Sequence, residues 1–178
     1  ESFPCVFLGT NPILGSDQVN VDAALGAYLA TRHLLGLGHR QVGMVQGPRR
    51  VSACRERLKG YREALAEAGL PFDPGLVAEG EVDEAGGACA MQRLLPRVGQ
   101  GLTAVYAIND PMALGALRVL REAGLRVPDD ISLAACDDIP VAAQVQPALT
   151  TVWQPKGELG TEAARLLLAQ IEARSERG

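Results

Sequence analysis

Several short apolar runs in this chain end in polar or flexible residues, and chemistry would sit at those ends. They are Gly9, Gln46, Glu81, the pair Asn109-Asp110 and the pair Asp137-Asp138. In an open α/β sheet the ligand crevice lies beyond the carboxyl ends of the strands, which makes such residues candidate ligand contacts. Each also has a plainer use, because an Asn or Asp after a strand can cap the next helix with its side-chain oxygen. For Asp110 and Asp138, one residue further out, capping is the stronger reading; for Asn109 and Asp137 it is ligand contact. Arg57 is the other candidate. In Ser52-Ala53-Cys54-Arg55-Glu56-Arg57-Leu58 it falls one to two turns from a helix start that faces the same crevice. A solvated or ion-paired helix arginine fits that position equally well, and Arg55 and Arg62 read as ordinary surface charges. A metal-binding phospho-acceptor site built on the Asp pair would need a strand-end Lys, which the chain does not supply.

Catalytic signatures are missing from the sequence. No G-x-G-x-x-G follows a strand, no G-x-x-x-x-G-K-[ST] occurs, and there is no G-x-S-x-G nucleophile elbow. The two histidines, His33 and His39, belong to a helix and the turn after it rather than to a strand end. Gly38-His39-Arg40 reads as a helix-to-strand turn. Four cysteines, Cys5, Cys54, Cys89 and Cys136, are widely separated, with no C-x-x-C and no His at ligand spacing. They are expected to be small reduced thiols, with no metal site, no disulfide and no cofactor.

The elements that must position these residues follow from patterning. Strands are expected at Pro4–Gly9, Gln41–Gln46, Leu76–Glu81, Ala104–Asn109, Ile131–Asp137 and Thr150–Gln154, each an apolar run bounded by Gly, Pro, Asn or Asp. Helices are expected from Asp22 to about Leu35, over Val51–Ala68 with Ser52 as N-cap and Gly69 as stop, over Asp83–Val98, over Pro111–Ala123, and over Lys156–Arg174. The last carries Leu159, Ala163, Leu166, Leu167 and Ile171 at helical spacing. Strand–helix alternation of this kind builds an α/β fold, a doubly wound parallel sheet joined by right-handed crossovers.

Composition excludes other classes. With 178 residues, 47% hydrophobic and 21% charged, the chain is too apolar for a disordered protein. It has no apolar run long enough to span a membrane and no basic opening followed by a short apolar stretch, so it reads as cytoplasmic. Its cations are arginine apart from Lys59 and Lys156, but they are scattered and outnumbered by acids, at net charge −4. No basic face is expected to grip nucleic acid.

Read in order, the motifs resemble the lactose-repressor/galactose-repressor (LacI/GalR) family. Val21-Asp22 through Arg32-His33-Leu34-Leu35-Gly36-Leu37-Gly38-His39-Arg40 is similar to that family's hinge-following helix. The run from Gly47-Pro48 to Ser52-Ala53-Cys54-Arg55-Glu56-Arg57-Leu58-Lys59-Gly60-Tyr61 resembles its next helix. Ala107-Ile108-Asn109-Asp110-Pro111-Met112-Ala113-Leu114-Gly115-Ala116 resembles its NDxMALGA motif, and residues 124–132 its GLRVPDDIS turn and strand. Asp137-Asp138-Ile139-Pro140 and Leu149-Thr150-Thr151-Val152-Trp153-Gln154-Pro155 complete the series, which covers nearly the whole chain.

The resemblance implies a transcription regulator whose periplasmic-binding-protein-like sensor has two lobes and binds a small effector between them. That effector shifts operator affinity through its unequal affinity for two lobe arrangements. Carried over by motif position, Arg57, Asn109 and Asp137 are effector contacts. Asp accepts from two hydroxyls, Asn donates and accepts, and Arg forks onto adjacent oxygens, which suits a polyhydroxyl ligand. Asp22 lies at the lobe crossing, as an effector contact or a helix cap. Val82 stands where the family often stacks an aromatic on a sugar ring, and it offers no such face. Cys136 likewise replaces a residue that is commonly aromatic, and Gly9 replaces a polar contact. The base expectation for the effector is a sugar or related metabolite.

By the same resemblance, residues 1–21 are expected to be a remnant of the first lobe, 22–153 a complete second lobe, and 154–178 a return segment and helix. The helix-turn-helix is expected to lie outside this chain, so contact with operator DNA would run through a domain not included here. A homodimer is expected. The rival readings are a secreted solute-binding protein for sugar transport and, from the enzyme class, a small nucleotide- or phosphate-handling enzyme. Neither displaces the non-enzymatic regulator.

Overall fold

Strands covered on both faces must be almost continuously apolar, and the central strands of this protein are, Gln46 at the end of one of them aside. The computed structural model describes residues 3–9 and 16–175. Its elements run β1 (Val6–Leu8), β2 (Asp17–Val19), α1 (Ala23–Gly36), β3 (Val42–Gln46), α2 (Ser52–Glu67), β4 (Val77–Glu79), α3 (Glu84–Val98), β5 (Ala104–Ala107), α4 (Asp110–Glu122), β6 (Ser132–Asp137), β7 (Thr150–Trp153) and α5 (Lys156–Ser175). Of the segments assigned above, residues 1, 2, 10–15 and 176–178 lie outside the described residues. Among the described residues, no helix is long and apolar enough to cross a membrane.

The chain divides into two units. The larger, Ala23–Trp153, holds a five-stranded parallel sheet in the order β4-β3-β5-β6-β7. From β3 the chain winds outward to β4, then returns beside β3 as β5 and continues the other way to β6 and β7. The reversal between β3 and β5 is the topological switch point, where such sheets open a crevice. Every residue of β3 and β5 is buried. Met44, Met91, Ile108, Met112 and Leu120 are fully buried around them, each contributing about 1.5–3 kcal/mol of burial free energy.

Helices pack in two pairs, α1 with α2 and α3 with α4. Glycine permits both close approaches. A Cβ on Gly60 would stand 1.9 Å from the Ala24 carbonyl oxygen, and one on Gly115 would stand 1.9 Å from that of Glu84. At the amino ends of the strands, His39 ties three together. Its Nδ1 lies 2.9 Å from Thr103 Oγ1 and its Nε2 3.0 Å from Ser132 Oγ, which bears out the helix-to-strand turn read for Gly38-His39-Arg40.

The smaller unit contains β1, β2 and α5. The two strands pair in parallel with Val6 opposite Asp17. From α5, Gln170 clamps them. Its Oε1 accepts the Cys5 N–H at 2.9 Å, and its Nε2 donates to Asp17 Oδ2 at 2.8 Å. No residue of α5 is buried, so its expected apolar stripe stays at least partly open, with Ile171 47% exposed.

Three local expectations are corrected. Strand β2 falls outside the expected set, being three residues long and polar at two of them. Leu76 belongs to a 3-10 turn, Pro74–Leu76, started by Asp73, whose Oδ1 accepts the Gly75 N–H at 2.8 Å. Ser52 is the first helical residue of α2 rather than its cap; Val51 takes the N-cap place with extended backbone and no side-chain cap bond.

Candidate functional site

Gly47 follows β3 directly at the switch point, and it is a glycine because three elements crowd against it. A Cβ there would stand 2.6 Å from Cys54 Sγ on α2, 2.8 Å from Ile108 Cδ1 after β5, and 3.0 Å from Val82 Cγ2 after β4. That convergence brings the opening turns of α2 and α4 to the same edge. Val82 lies within it, 42% exposed and aliphatic. Arg57 stands three residues beyond Cys54, on the same side of α2.

The cap expected at Asp110 falls on Asn109. Asn109 is the N-cap of α4: its backbone is extended, and its Oδ1 accepts the Met112 N–H at 3.0 Å. Asp110 is already helical and fully buried, and its carboxylate turns toward the segment after β6. There Oδ2 accepts the Ile139 N–H at 2.8 Å and Oδ1 the Thr151 hydroxyl at 2.5 Å. The reason is one of register. β5 ends at Ala107, so the residue whose backbone is still extended when the helix begins is Asn109. Capping uses the Asn109 oxygen, and the amide's donor is the separate Nδ2 group.

Asp138 also departs from its expected part. No α-helix follows it; Ile139 takes the N-cap place of a 3-10 turn, Pro140–Ala143, without a side-chain cap bond. The backbone is instead strained, with φ +130° at Asp137 and +51° at Asp138. Two consecutive non-glycine residues in this region are uncommon, and such geometry clusters at functional sites.

Asp137 ends β6, and its Oδ1 lies 3.8 Å from Arg57 Nη2, with side chains 22% and 13% exposed. The distance makes an ion pair but not a hydrogen bond. Arg57 Nε is buried with no hydrogen-bond partner. The same cation acts on its surroundings: burial pushes the Cys54 thiol up, and Arg57 opposes that rise.

Two further buried polar groups lie in this region that the sequence does not single out as a set. Gln46 at the end of β3 is fully buried; its Nε2 donates to the Cys54 carbonyl at 2.8 Å, while its Oε1 has no partner. Tyr106 on β5 is fully buried with an unpartnered hydroxyl. Burial pushes its pKa far up; Arg57 opposes that rise, and Asp137 adds to it. A tyrosine in a strand otherwise made of Ala and Val is the available signal, since a buried hydroxyl normally finds a partner.

The structure therefore gathers Arg57, Asn109, Asp137 and Val82 at the carboxyl edge of one sheet. Asp22 directly precedes α1, at the end of the other unit's first segment. The grouping is a set of hydrogen-bonding side chains around a loosely spaced ion pair, on an edge that also carries aliphatic surface. Chemically it can bind a neutral, oxygen-rich molecule. Among the described residues no three His, Cys, Asp or Glu side chains gather as a metal set.

Comparison with known proteins agrees with this architecture. Residues 31–178 match the periplasmic binding protein-like domain. The chain is 39% identical over 163 residues to the ribose operon repressor of Haemophilus influenzae, an alignment covering 92% of this chain and 49% of that protein. It is 45% identical over 156 residues to the HTH-type transcriptional regulator GalR of Escherichia coli, covering 88% and 45%. Among solved structures, the transcriptional regulator CelR–cellobiose complex superposes with a TM-score of 0.87 at 40% identity, covering 95% of this chain and 52% of that one. The chain thus spans about half the length of the curated relatives it matches.

Proposed function

The chain belongs to the periplasmic binding protein-like domain family, in its LacI/GalR branch, and from that premise we propose that it is the effector-sensing part of a transcriptional regulator. The observation that carries the reading is the loosely spaced pair of Arg57 and Asp137 beside the Asn109 cap. The guanidinium keeps a buried Nε without a partner. An unsatisfied buried donor costs about 1–3 kcal/mol, and a ligand that completes the set recovers part of that cost.

The effector is a small polyhydroxyl metabolite, a sugar or close derivative. Asp137 accepts from adjacent hydroxyls, Asn109 donates through Nδ2, and Arg57 forks onto ring or hydroxyl oxygens. Val82 gives aliphatic contact rather than aromatic stacking. The ribose operon repressor and the CelR–cellobiose complex among similar proteins support a saccharide.

The whole regulator acts in the cytoplasm as a homodimer and does no catalysis. Its second lobe, residues 22–153, carries the effector contacts, and residues 1–21 and 154–178 belong to the first. Operator DNA is bound by a helix-turn-helix head outside this chain. Effector binding favours one lobe arrangement over another and so shifts operator affinity. Thermal-shift screening of the intact protein against cellobiose, ribose and a set of hexoses tests this. A stabilising sugar is expected, and loss of its effect in Arg57→Ala and Asp137→Ala; a stabilisation unchanged in both variants rules the assignment out.

A further inference from the structure

Asp137 and Asp138 hold a backbone that ordinary L-residues resist, φ +130° followed by +51°. Geometry of this kind persists only where the surroundings over-determine it. Here one buried carboxylate and one hydroxyl contribute to that constraint. The Asp138 N–H donates to Thr151 Oγ1 at 3.3 Å. The Thr151 hydroxyl donates in turn to Asp110 Oδ1 at 2.5 Å, and the Ile139 N–H donates to Asp110 Oδ2 at 2.8 Å. Both carboxylate oxygens of Asp110 and the hydroxyl proton of Thr151 are thereby committed.

These groups come from three places in the fold: the first residue of α4, the second residue of β7 and the turn after β6. Asp110 is fully buried, so its carboxylate is spent inside the protein. It adjoins the Asn109 cap, and the same helix start that orients Asn109 therefore anchors the turn that presents Asp137. Strand pairing fixes the other side, with Asp137 opposite Trp153 and Ala135 opposite Thr151 in the β6–β7 ladder.

We propose that Asp110 and Thr151 are positioning residues that lock the 137–139 turn and thereby set the direction of the Asp137 carboxylate. The inference rests on the preceding reading only where it concerns effector affinity; the locking of the turn stands on the hydrogen bonds themselves. Neither side chain touches the effector in this account. Thr151→Val removes the hydroxyl while keeping the shape, and with it the bonds to the Asp138 N–H and to Asp110 Oδ1. Thr151→Ser restores the hydroxyl without the methyl group.

The test uses the intact protein and the variants Thr151→Val, Thr151→Ser and Asp110→Asn, with hydrogen exchange of the 138 and 139 amides, urea unfolding, and calorimetric titration with cellobiose and ribose. Faster exchange at these two amides in Thr151→Val and Asp110→Asn, with Thr151→Ser near wild type, is the expected result. Unchanged exchange in Thr151→Val and Asp110→Asn overturns the proposal. For a sugar that binds the wild type, Thr151→Val is expected to weaken affinity at least about tenfold while Thr151→Ser stays within about twofold. A Thr151→Val protein with a loosened turn and wild-type affinity also overturns the positioning role. If neither sugar binds the wild type, the effector-site reading is what suffers, and amide exchange still decides whether the pair locks the turn.

Discussion

Arg57 Nη2 stands 3.8 Å from Asp137 Oδ1, close enough to attract and too far to hydrogen-bond. Arg126 and Asp130, on the surface, close to 2.9 Å. At 3.8 Å the Arg57 and Asp137 charges attract without a direct hydrogen bond. Asp137→Asn keeps the side-chain shape, and Asn tolerates positive φ, but it takes a counter-charge from the mostly buried Arg57, so the expected loss of unfolding free energy is about 1–3 kcal/mol. Urea unfolding measures it, and a loss well above that range would assign the pair a structural role.

Asn109 caps α4 through its oxygen, and in the proposed site its nitrogen is the group offered to a ligand, so the two roles separate by substitution. Asn109→Ala removes the cap and is expected to cost about 0.5–2 kcal/mol of stability. Asn109→Asp keeps a good capping oxygen but loses the Nδ2 donor; it is expected to fold with near-wild-type stability and to bind effector more weakly. Equal effector affinity for Asn109→Asp and wild type would remove Asn109 from the contacts.

Tyr106 carries a buried hydroxyl that meets no protein partner. Replacing it with a shape-matched apolar group should cost nothing. Tyr106→Phe is expected to leave the melting temperature unchanged or raised, with any gain within about 1–3 kcal/mol. A clear loss on thermal unfolding would show that the hydroxyl is satisfied in solution.

His39 gives the fold a pH dependence. Burial lowers its pKa from the ordinary value of 6.5, so the unfolded chain binds the proton more readily than the folded one. Stability therefore rises with pH across the interval between the lowered value and the ordinary one, and falls as acid is added through it. Urea unfolding between about pH 7 and pH 5 should show this slope, weakened in His39→Gln. A slope of the opposite sign, or one identical in His39→Gln, contradicts it.

The sheet is legible in the sequence because β3 through β7 are covered on both faces or bounded by turn residues, leaving short apolar runs. β2 is not, since Asp17-Gln18-Val19 has neither length nor an apolar pattern. The caps expected at Ser52 and Asp110 each miss by one residue. Ser, Asp and Asn are all good caps, and only backbone geometry decides which of two neighbours is still extended where the helix begins. Arg57 and Asp137 can be named from their places along α2 and β6, but their spacing depends on how α2 meets the sheet across Gly47. The buried groups of Gln46 and Tyr106 lack a partner only in three dimensions, which no spacing along the chain reveals.

In the proposed site Arg57 and Asp137 hold a sugar-like effector at the carboxyl edge of the sheet. Calorimetric titration of the intact wild type, Arg57→Ala and Asp137→Ala with the sugar that most stabilises the wild type tests it most directly. Saturable binding to the wild type is expected, with affinity lowered at least about a hundredfold in each variant, the loss of a charge-assisted contact with its partner left unpaired. Wild-type affinity in both variants, at wild-type stability, would contradict it.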